Sequence, residues 1–399
     1  MLTTIYTKLE SYFNEMVLHR RHLHQNPELS FKETETAAYI SSFYKSLQIP
    51  FRKNVGGNGI VATIEGNLEG PTIALRADFD ALPIEEENDV PYRSRNKGVM
   101  HACGHDGHTA ALMVLAKVLW EERHSFPGTI VLLHQHAEEY APGGAKSMIE
   151  DGCLNGVDAV FGTHLWASEP TGKIQYRTGP IMAAADRFEI TIQGSGGHGA
   201  QPHKTRDSIL IGTQVVNTLQ QIVSRRINPL EPAVVSVGSF IADNAFNVIA
   251  DKATIIGTVR TFSEDVRTQI EKEIENVVKG LSVIHDSSYD YVFDRGYPAV
   301  VNEALSTELF VNVVKENLPG ILLEEAEMQM GGEDFAYYLQ HVPGTFFFTG
   351  AKPKGVELPF PHHHPRFDFD EDAMLVAAKC LVTIALSYKH NQEKVTLHV

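Results

Sequence analysis

Three short runs of apolar and β-branched residues, at 72–77, 129–135 and 159–163, alternate with stretches that read as helices near 107–124 and 144–151. No other feature constrains the fold as strongly. Parallel strands need crossover connections of a dozen or more residues, and a helix is the usual way to make one. The pattern predicts an α/β architecture with a mostly parallel central sheet. Ahead of it, residues 3–24 and 33–47 read as helices, with Glu28-Leu29-Ser30 and then Glu33 and Glu35 marking the second start.

Between about 183 and 295 the texture changes. A half-buried alternation at 187–193 (RFEITIQ) is followed by a helical stretch at 207–226, then strand-like runs at 233–240 and 253–262. A helix at 264–280 and a strand at 289–293 complete the order β-α-β-β-α-β, that of a ferredoxin-like α+β domain. After Tyr297-Pro298 the α/β pattern resumes, with helices near 304–317, 333–340 and 371–389. The expected division is a discontinuous larger domain, 1–182 and 296–399, with 183–295 inserted in it. A chain of 399 residues exceeds what one hydrophobic core usually supports, which fits two domains.

The 50 acidic side chains against 34 basic ones leave a net charge of -16. Nucleic acid and anionic membranes require basic patches, so neither is expected as a partner. The apolar stretches near 110–120 and 374–388 are interrupted by Lys117 and Lys379, too early for a membrane span. The first ten residues lack a basic region followed by an apolar one, so no signal peptide is expected there. Cys103, Cys153 and Cys380 do not make a disulfide framework, and a cytoplasmic location is the simplest expectation.

Chemistry-bearing residues gather just before the helix that Asp106 and Gly107 open and where the strand-like runs end. Cys103 and His105 lie within His101-Ala102-Cys103-Gly104-His105-Asp106-Gly107-His108. Two residues apart, they cannot share a helix face, but both can turn toward one point in a loop. A lone buried cysteine is usually a small hydrophobe; three histidines within five residues weaken that reading here. Glu138 and Glu139 follow the run 129–135, and adjacent side chains in extended chain point oppositely. One could bind a cation while the other serves as a base. Asp78 and Asp80 follow 72–77, and His164 follows 159–163. Ligands of open parallel sheets collect at the carboxyl ends of strands. His362-His363-His364-Pro365 adds a histidine cluster some 200 residues on.

At these residues the chain resembles the aminoacylase/carboxypeptidase G family of two-metal peptidases. The resemblance is nearest the branch of hippurate hydrolases, N-acyl-amino-acid deacylases and auxin-conjugate hydrolases. It rests on LRADFDALP at 75–83, MHACGHDGHT at 100–109, HAEE at 136–139, GGHGAQPH at 196–203, GTVRTF at 257–262, GEDF at 332–335 and HHP at 363–365. It implies a metal-binding catalytic domain (1–182 and 296–399) and a lid or dimerisation domain (183–295). It further implies metal ligands Cys103, His105, Glu139, His164 and His363, the last because the family ligand stands two residues before the proline. Glu138 is implied as general base, and His198 as a group reaching the partner subunit's active site in a homodimer or higher oligomer. Asn247, Arg260 and Gly332 fall at substrate-binding positions.

Two departures stand out: Ala250 replaces the usual proline after Asn247-Val248-Ile249, and Gln135-His136-Ala137 replaces the usual Gln-Pro-Ala. His134 and His136 are thus extra histidines, expected to be structural or to support ligands, as are His101 and His108.

The expected activity is hydrolysis of N-acyl-L-amino acids to a carboxylate and a free amino acid. Two divalent ions, manganese or zinc, would lower the pKa of a bridging water, and Glu138 would relay its proton to the leaving amine. Cys103 would bind as thiolate. A dipeptidase or aminopeptidase with the same metals is the nearest alternative. A non-catalytic metal-binding protein should have lost the base or a ligand, and none is lost. A thiol-redox protein would need a resolving cysteine, and no Cys-x-x-Cys spacing is present.

Overall fold

The structure, a computed structural model, describes residues 1–395, with side chains through Tyr388. The chain divides into two compact units. The first comprises Met1–Ile181, Val301–Glu327 and Asp334–Val399, and the second Met182–Val300 with Met328–Glu333.

In the first unit an eight-stranded sheet runs in the order Phe51–Val55, Gly59–Glu65, Pro127–Gln135, Leu68–Asp78, Ala159–Trp166, Gly344–Gly350, Lys173–Tyr176 and Leu322–Glu325. Its middle four strands pair in parallel, with antiparallel pairings on either side of them. These strands read as near-continuous buried runs, as strands covered on both faces must. Ile73, Leu75 and Ala77 enter the main core with Ile130 and Leu132. The alternate residues Arg76 and Asp78 therefore face the other way. Register aligns Asp78 with Gln135 and Arg76 with Gly162, so the carboxyl ends of three strands come level.

The helix His105–Glu121 is buried along most of its length and packs into the same core with Asp372–Val395. The N-terminal helical stretch is two helices, Leu2–Ser11 and Phe13–Gln25, interrupted at Tyr12, whose hydroxyl donates to Glu121 Oε1 at 2.8 Å. Gly344–Gly350 has no counterpart among the expected strands. Its triple phenylalanine is buried in both directions and shows no alternation to read. The expected helix at 333–340 is a single turn, Ala336–Leu339.

The second unit holds a four-stranded antiparallel sheet in the order Ala233–Ile241, Lys252–Thr261, Ala184–Gln193, Ser288–Tyr297. Phe188, Ile190 and Ile192 pack against Ile211, Val215, Leu219 and Ile222 of the helix Ser208–Arg225, and against Ile270, Ile274 and Val278 of Glu264–His285. With the chain order β-α-β-β-α-β this is a ferredoxin-like arrangement. Asp207 caps the first of these helices through Ile209 N at 2.9 Å. The second runs five residues past Gly280 and ends where Asp286 turns left-handed, at φ 54°. Met328–Glu333 joins this unit far from it in sequence, with Ala183 N donating to Gln329 O and Gly331 O at 3.0 Å each.

Candidate metal centre

The parallel register delivers its polar residues to one edge of the first unit's sheet. Asp78 ends its strand, and Asp80 follows two residues on. The helix His105–Glu121 begins beside them after Gly104, whose φ of 94° turns the chain sharply enough to put Cys103 and His105 on one site. Ala137, at φ 54°, makes a comparable turn between the strand Pro127–Gln135 and the Glu138-Glu139 pair. A non-glycine residue held there is strained, and such strain persists where surrounding contacts impose it.

Those contacts are specific. Glu33 Oε1 accepts the Ala137 N–H at 2.8 Å, and Glu33 Oε2 accepts Asn58 Nδ2 at 2.9 Å. Asp80 Oδ2 accepts Glu139 N at 2.9 Å and Ser30 Oγ at 2.7 Å, while its Oδ1 lies 3.1 Å from His105 Nδ1. Arg76, fully buried, pairs with Asp78 (2.5 Å) and Asp334 (2.8 Å) and donates to Gln135 Oε1 at 2.9 Å. It is the cation that lets two carboxylates sit behind the site.

Backbone and carboxylate partners fix the ring protons. His105 Nδ1 faces acceptors, Asp80 O and Oδ1, so it carries a hydrogen, and the neutral ring presents its lone pair at Nε2. That Nε2 is buried and has no hydrogen-bond partner among the described residues. It lies 3.8 Å from Glu139 Oε1 and 4.0 Å from Glu138 Oε2. His164 Nδ1 donates to Leu165 O at 2.8 Å, leaving its Nε2 lone pair 3.3 Å from Cys103 Sγ. Glu139 Oε1, an ion-pair distance of 3.3 Å from His363 Nε2, is likewise buried and meets no hydrogen bond of good geometry among the described residues. His363 sits at φ 65°, with its N–H on Ala102 O at 2.8 Å.

The structure thus brings Cys103, His105, Glu138, Glu139, His164 and His363 together. Buried polar atoms are nearly always hydrogen-bonded, so two converging orphans need an explanation. A shared cation supplies one. Ligand atoms of Cys103, His105 and Glu139 all lie within 4.8 Å of one another, spacing that one ion can span. Charge points the same way. Burial, then the carboxylates of Glu139, Glu138 and Asp78, push the Cys103 thiol far above its ordinary range. Burial opposes protonation of His105, yet Asp78, Asp80 and Glu139 push it up to about 10. The cluster is short of positive charge, and divalent cations fit that deficit.

Other histidines have different partners. His108 Nδ1 donates to Asp78 Oδ1 at 2.6 Å and its Nε2 accepts Leu165 N at 2.9 Å, which leaves no lone pair for a cation. His134 bonds the Tyr44 hydroxyl at 2.7 Å and lies 3.3 Å from Thr109 Oγ1, and burial pulls it down to about 3. His101 is buried with neither ring nitrogen hydrogen-bonded among the described residues, and burial lowers it to about 4. His136 is buried, its Nδ1 unpartnered among the described residues. Gly107, in the first turn of its helix, allows close packing: a Cβ there would lie 2.6 Å from Phe369 and 2.7 Å from Leu165.

His198, Asn247, Arg260 and Gly332 lie in the second unit. His198 is exposed, opposite Val248 on a two-residue ladder, and its Nδ1 accepts Ala200 N at 3.1 Å. Asn247 is exposed and offers its carbonyl to Gly199 N at 2.8 Å. Arg260 is half-buried, its guanidinium on Thr258 Oγ1 and on Val259 O at 3.1 Å. Gly332 lies against Ala185, 2.8 Å from where its own Cβ would stand.

Two residues that the sequence did not assign belong to this centre. Glu33 reads as a helix-start signal, and its long-range bond to Ala137 leaves no local trace. His362, beside the selected His363, places Nδ1 3.8 Å from Cys103 Sγ. Among three consecutive histidines the distance to Pro365 singles out His363 and leaves His362 unassigned.

The chain is similar to known proteins. YhaA of Bacillus subtilis (strain 168) is 60% identical over 382 residues, covering 96% of each chain. An N-acyl-L-amino acid amidohydrolase of Geobacillus stearothermophilus is 49% identical over 288 residues, 72% of this chain and 78% of that one. Among solved structures, the Bacillus subtilis YXEP protein, described as a dinuclear metal binding peptidase from the M20 family, superposes with a TM-score of 0.82. It is 35% identical, over 94% of this chain and 98% of that one. The model of peptidase family M20/M25/M40 matches residues 74–387, a span that takes in Asp78, the Cys103–His105 turn, the glutamate pair and the histidines at 362–364. The chain belongs to that family, and is a hydrolytic enzyme acting on amide bonds.

Proposed function

We propose that the enzyme hydrolyses N-acyl-L-amino acids, with two divalent cations held by Cys103, His105, Glu139, His164 and His363. The observation that carries the reading is the pair of buried, unsatisfied ligand atoms His105 Nε2 and Glu139 Oε1. The name of the Geobacillus relative supports the substrate class, and the dinuclear description of the YXEP protein supports the number of ions. Thiolate and imidazole suit zinc, and the carboxylate also admits manganese.

When bound, the cations supply Lewis acidity and lower the pKa of water at the site. Glu138, 7% exposed and near His105, takes a proton from the attacking water and returns it to the leaving amine nitrogen. Asp80 holds His105 by its ring proton and Glu139 by its backbone N–H, so both keep their orientation as charge moves. To the second unit the reading assigns the substrate contacts. His198 donates to the developing oxyanion, the Arg260 guanidinium and Asn247 carboxamide take the free carboxylate, and Gly332 lines the approach. A homodimer or higher oligomer, in which His198 serves the partner subunit, and a cytoplasmic location complete the proposal. No helix among the described residues is long and apolar enough to cross a membrane.

The test is Glu138→Gln, assayed with N-acetyl and N-benzoyl amino acids beside dipeptides. We expect unchanged metal content with turnover lowered about 10²–10⁴-fold. Substantial residual activity removes Glu138 as the base, and preference for dipeptides with free amines replaces the acyl-amino-acid reading with a dipeptidase.

A further inference from the structure

His362 is held on every side. Its ring packs at 4.9 Å from Trp166 and 4.8 Å from Phe367, and edge-on at 5.1 Å from His164. Spacing alone would let it join Cys103 and His164 around a cation, since ligand atoms of all three lie within 4.8 Å of one another. Its other nitrogen argues against that. His362 Nε2 lies 3.3 Å from Ala167 N, and a backbone N–H can only donate. Nε2 must therefore be the acceptor, and the ring hydrogen is on Nδ1, the atom facing Cys103 Sγ at 3.8 Å. The opposite polarity holds at His164, where a backbone carbonyl takes the Nδ1 hydrogen and the lone pair faces the sulfur.

We propose that His362 is a positioning residue that donates its Nδ1–H to the sulfur of Cys103 and steadies it as a thiolate ligand. The proposal rests on the reading of Cys103 as a cation ligand. It gives two neighbouring histidines different roles, since His363 offers a nitrogen toward the cation site and His362 offers a hydrogen to the sulfur. A donated hydrogen withdraws electron density from sulfur, and its loss raises the energy of the sulfur lone pairs.

The experiment uses the full-length protein loaded with Co(II), whose thiolate-to-metal charge-transfer band reports on the sulfur directly. In His362→Phe the ring packing is kept and the donor is lost. We expect two cobalt ions still bound at saturation, the band moved to lower energy, and cation affinity weakened about 10–100-fold. His362→Gln can accept from Ala167 and donate to sulfur at once, so its band and affinity should match wild type. An unshifted band with unchanged affinity in the Phe variant, or a Gln variant that behaves like Phe, overturns the donor role. Loss of one cobalt at saturation in both variants makes His362 a ligand and also overturns it. A wild-type protein that binds cobalt with no thiolate band removes Cys103 from the ligand set, a failure of the underlying reading that no His362 variant could produce.

Discussion

Glu33 accepts the backbone N–H of Ala137 at 2.8 Å, across 104 residues of sequence. Ala137 occupies a left-handed conformation that positions the two glutamates after it. A buried carboxylate thus restrains a strained turn from outside the ligand set. In Glu33→Ala, the Ala137 N–H and the Asn58 amide lose their acceptor, and an unsatisfied buried donor costs about 1–3 kcal/mol. We expect a lower melting temperature together with reduced kcat, because the Glu138 carboxylate is no longer fixed. Wild-type kcat in a destabilised variant would show that the turn holds without Glu33.

The same residue makes stability depend on pH. Burial, against the opposing hydrogen bond from Asn58, pushes Glu33 up to about 7 from an ordinary value of 4.5. Unfolded chains release this proton near 4.5 and folded ones near 7, so across that window the unfolded state binds fewer protons. The contribution of Glu33 to stability therefore falls as pH rises from about 4.5 to about 7, and is level above. Denaturation of wild type and Glu33→Gln over this range should give a stability difference with that slope. A difference flat in pH contradicts it.

Asp80 is expected to govern cation affinity without being a ligand. Both its oxygens are engaged, on Ser30 and Glu139 N and on His105. Asp80→Asn turns an amide hydrogen toward one of these donors, and should weaken cation binding about 10–100-fold in a folded protein. Calorimetric titration of the metal-free protein measures it, and unchanged affinity would falsify the orienting role.

Removing the cations should destabilise the fold. Chelation leaves the carboxylates of Glu139, Glu138 and Asp78 acting on the buried Cys103 thiol with no cation between them. Each tenfold excess of free cation over its dissociation constant adds about 1.4 kcal/mol to the folded state. The melting temperature should therefore fall on chelation and climb with re-added manganese or zinc. Identical melting with and without metal would count against a site built for cations.

Gly107 is small for packing reasons. In Gly107→Ala the new methyl meets Phe369 and Leu165, and overpacking of this kind costs about 1–3 kcal/mol, more than the gain in helix propensity. Thermal melts should show the loss, and a smaller one in a Leu165→Ala background, because the two sites share one contact. Equal penalties in both backgrounds would place the cost elsewhere.

Architecture and chemistry were both legible in the order of residues. Short apolar runs separated by helix-length connections dictate parallel strands, and polar residues placed just after those runs must emerge at one sheet edge. Glu138, Glu139 and His164 stand just after such runs, whereas Cys103, His105 and His363 are singled out by the motif resemblance. Within the second unit, two-residue alternation and the order of elements specified the ferredoxin-like arrangement. The rest required the folded chain. The break at Tyr12 and the helix continuing past Gly280 depend on long-range contacts and on Asp286, whereas local propensity points elsewhere. Met328–Glu333 joins the second unit through backbone bonds to Ala183, which carry no side-chain signature. Among the histidines, the proposed roles follow from the partner of one ring nitrogen: a carbonyl at His164, a backbone N–H at His108 and His362, a hydroxyl at His134. Spacing along a chain cannot encode that polarity, because those partners meet the rings only once the strands and loops have packed.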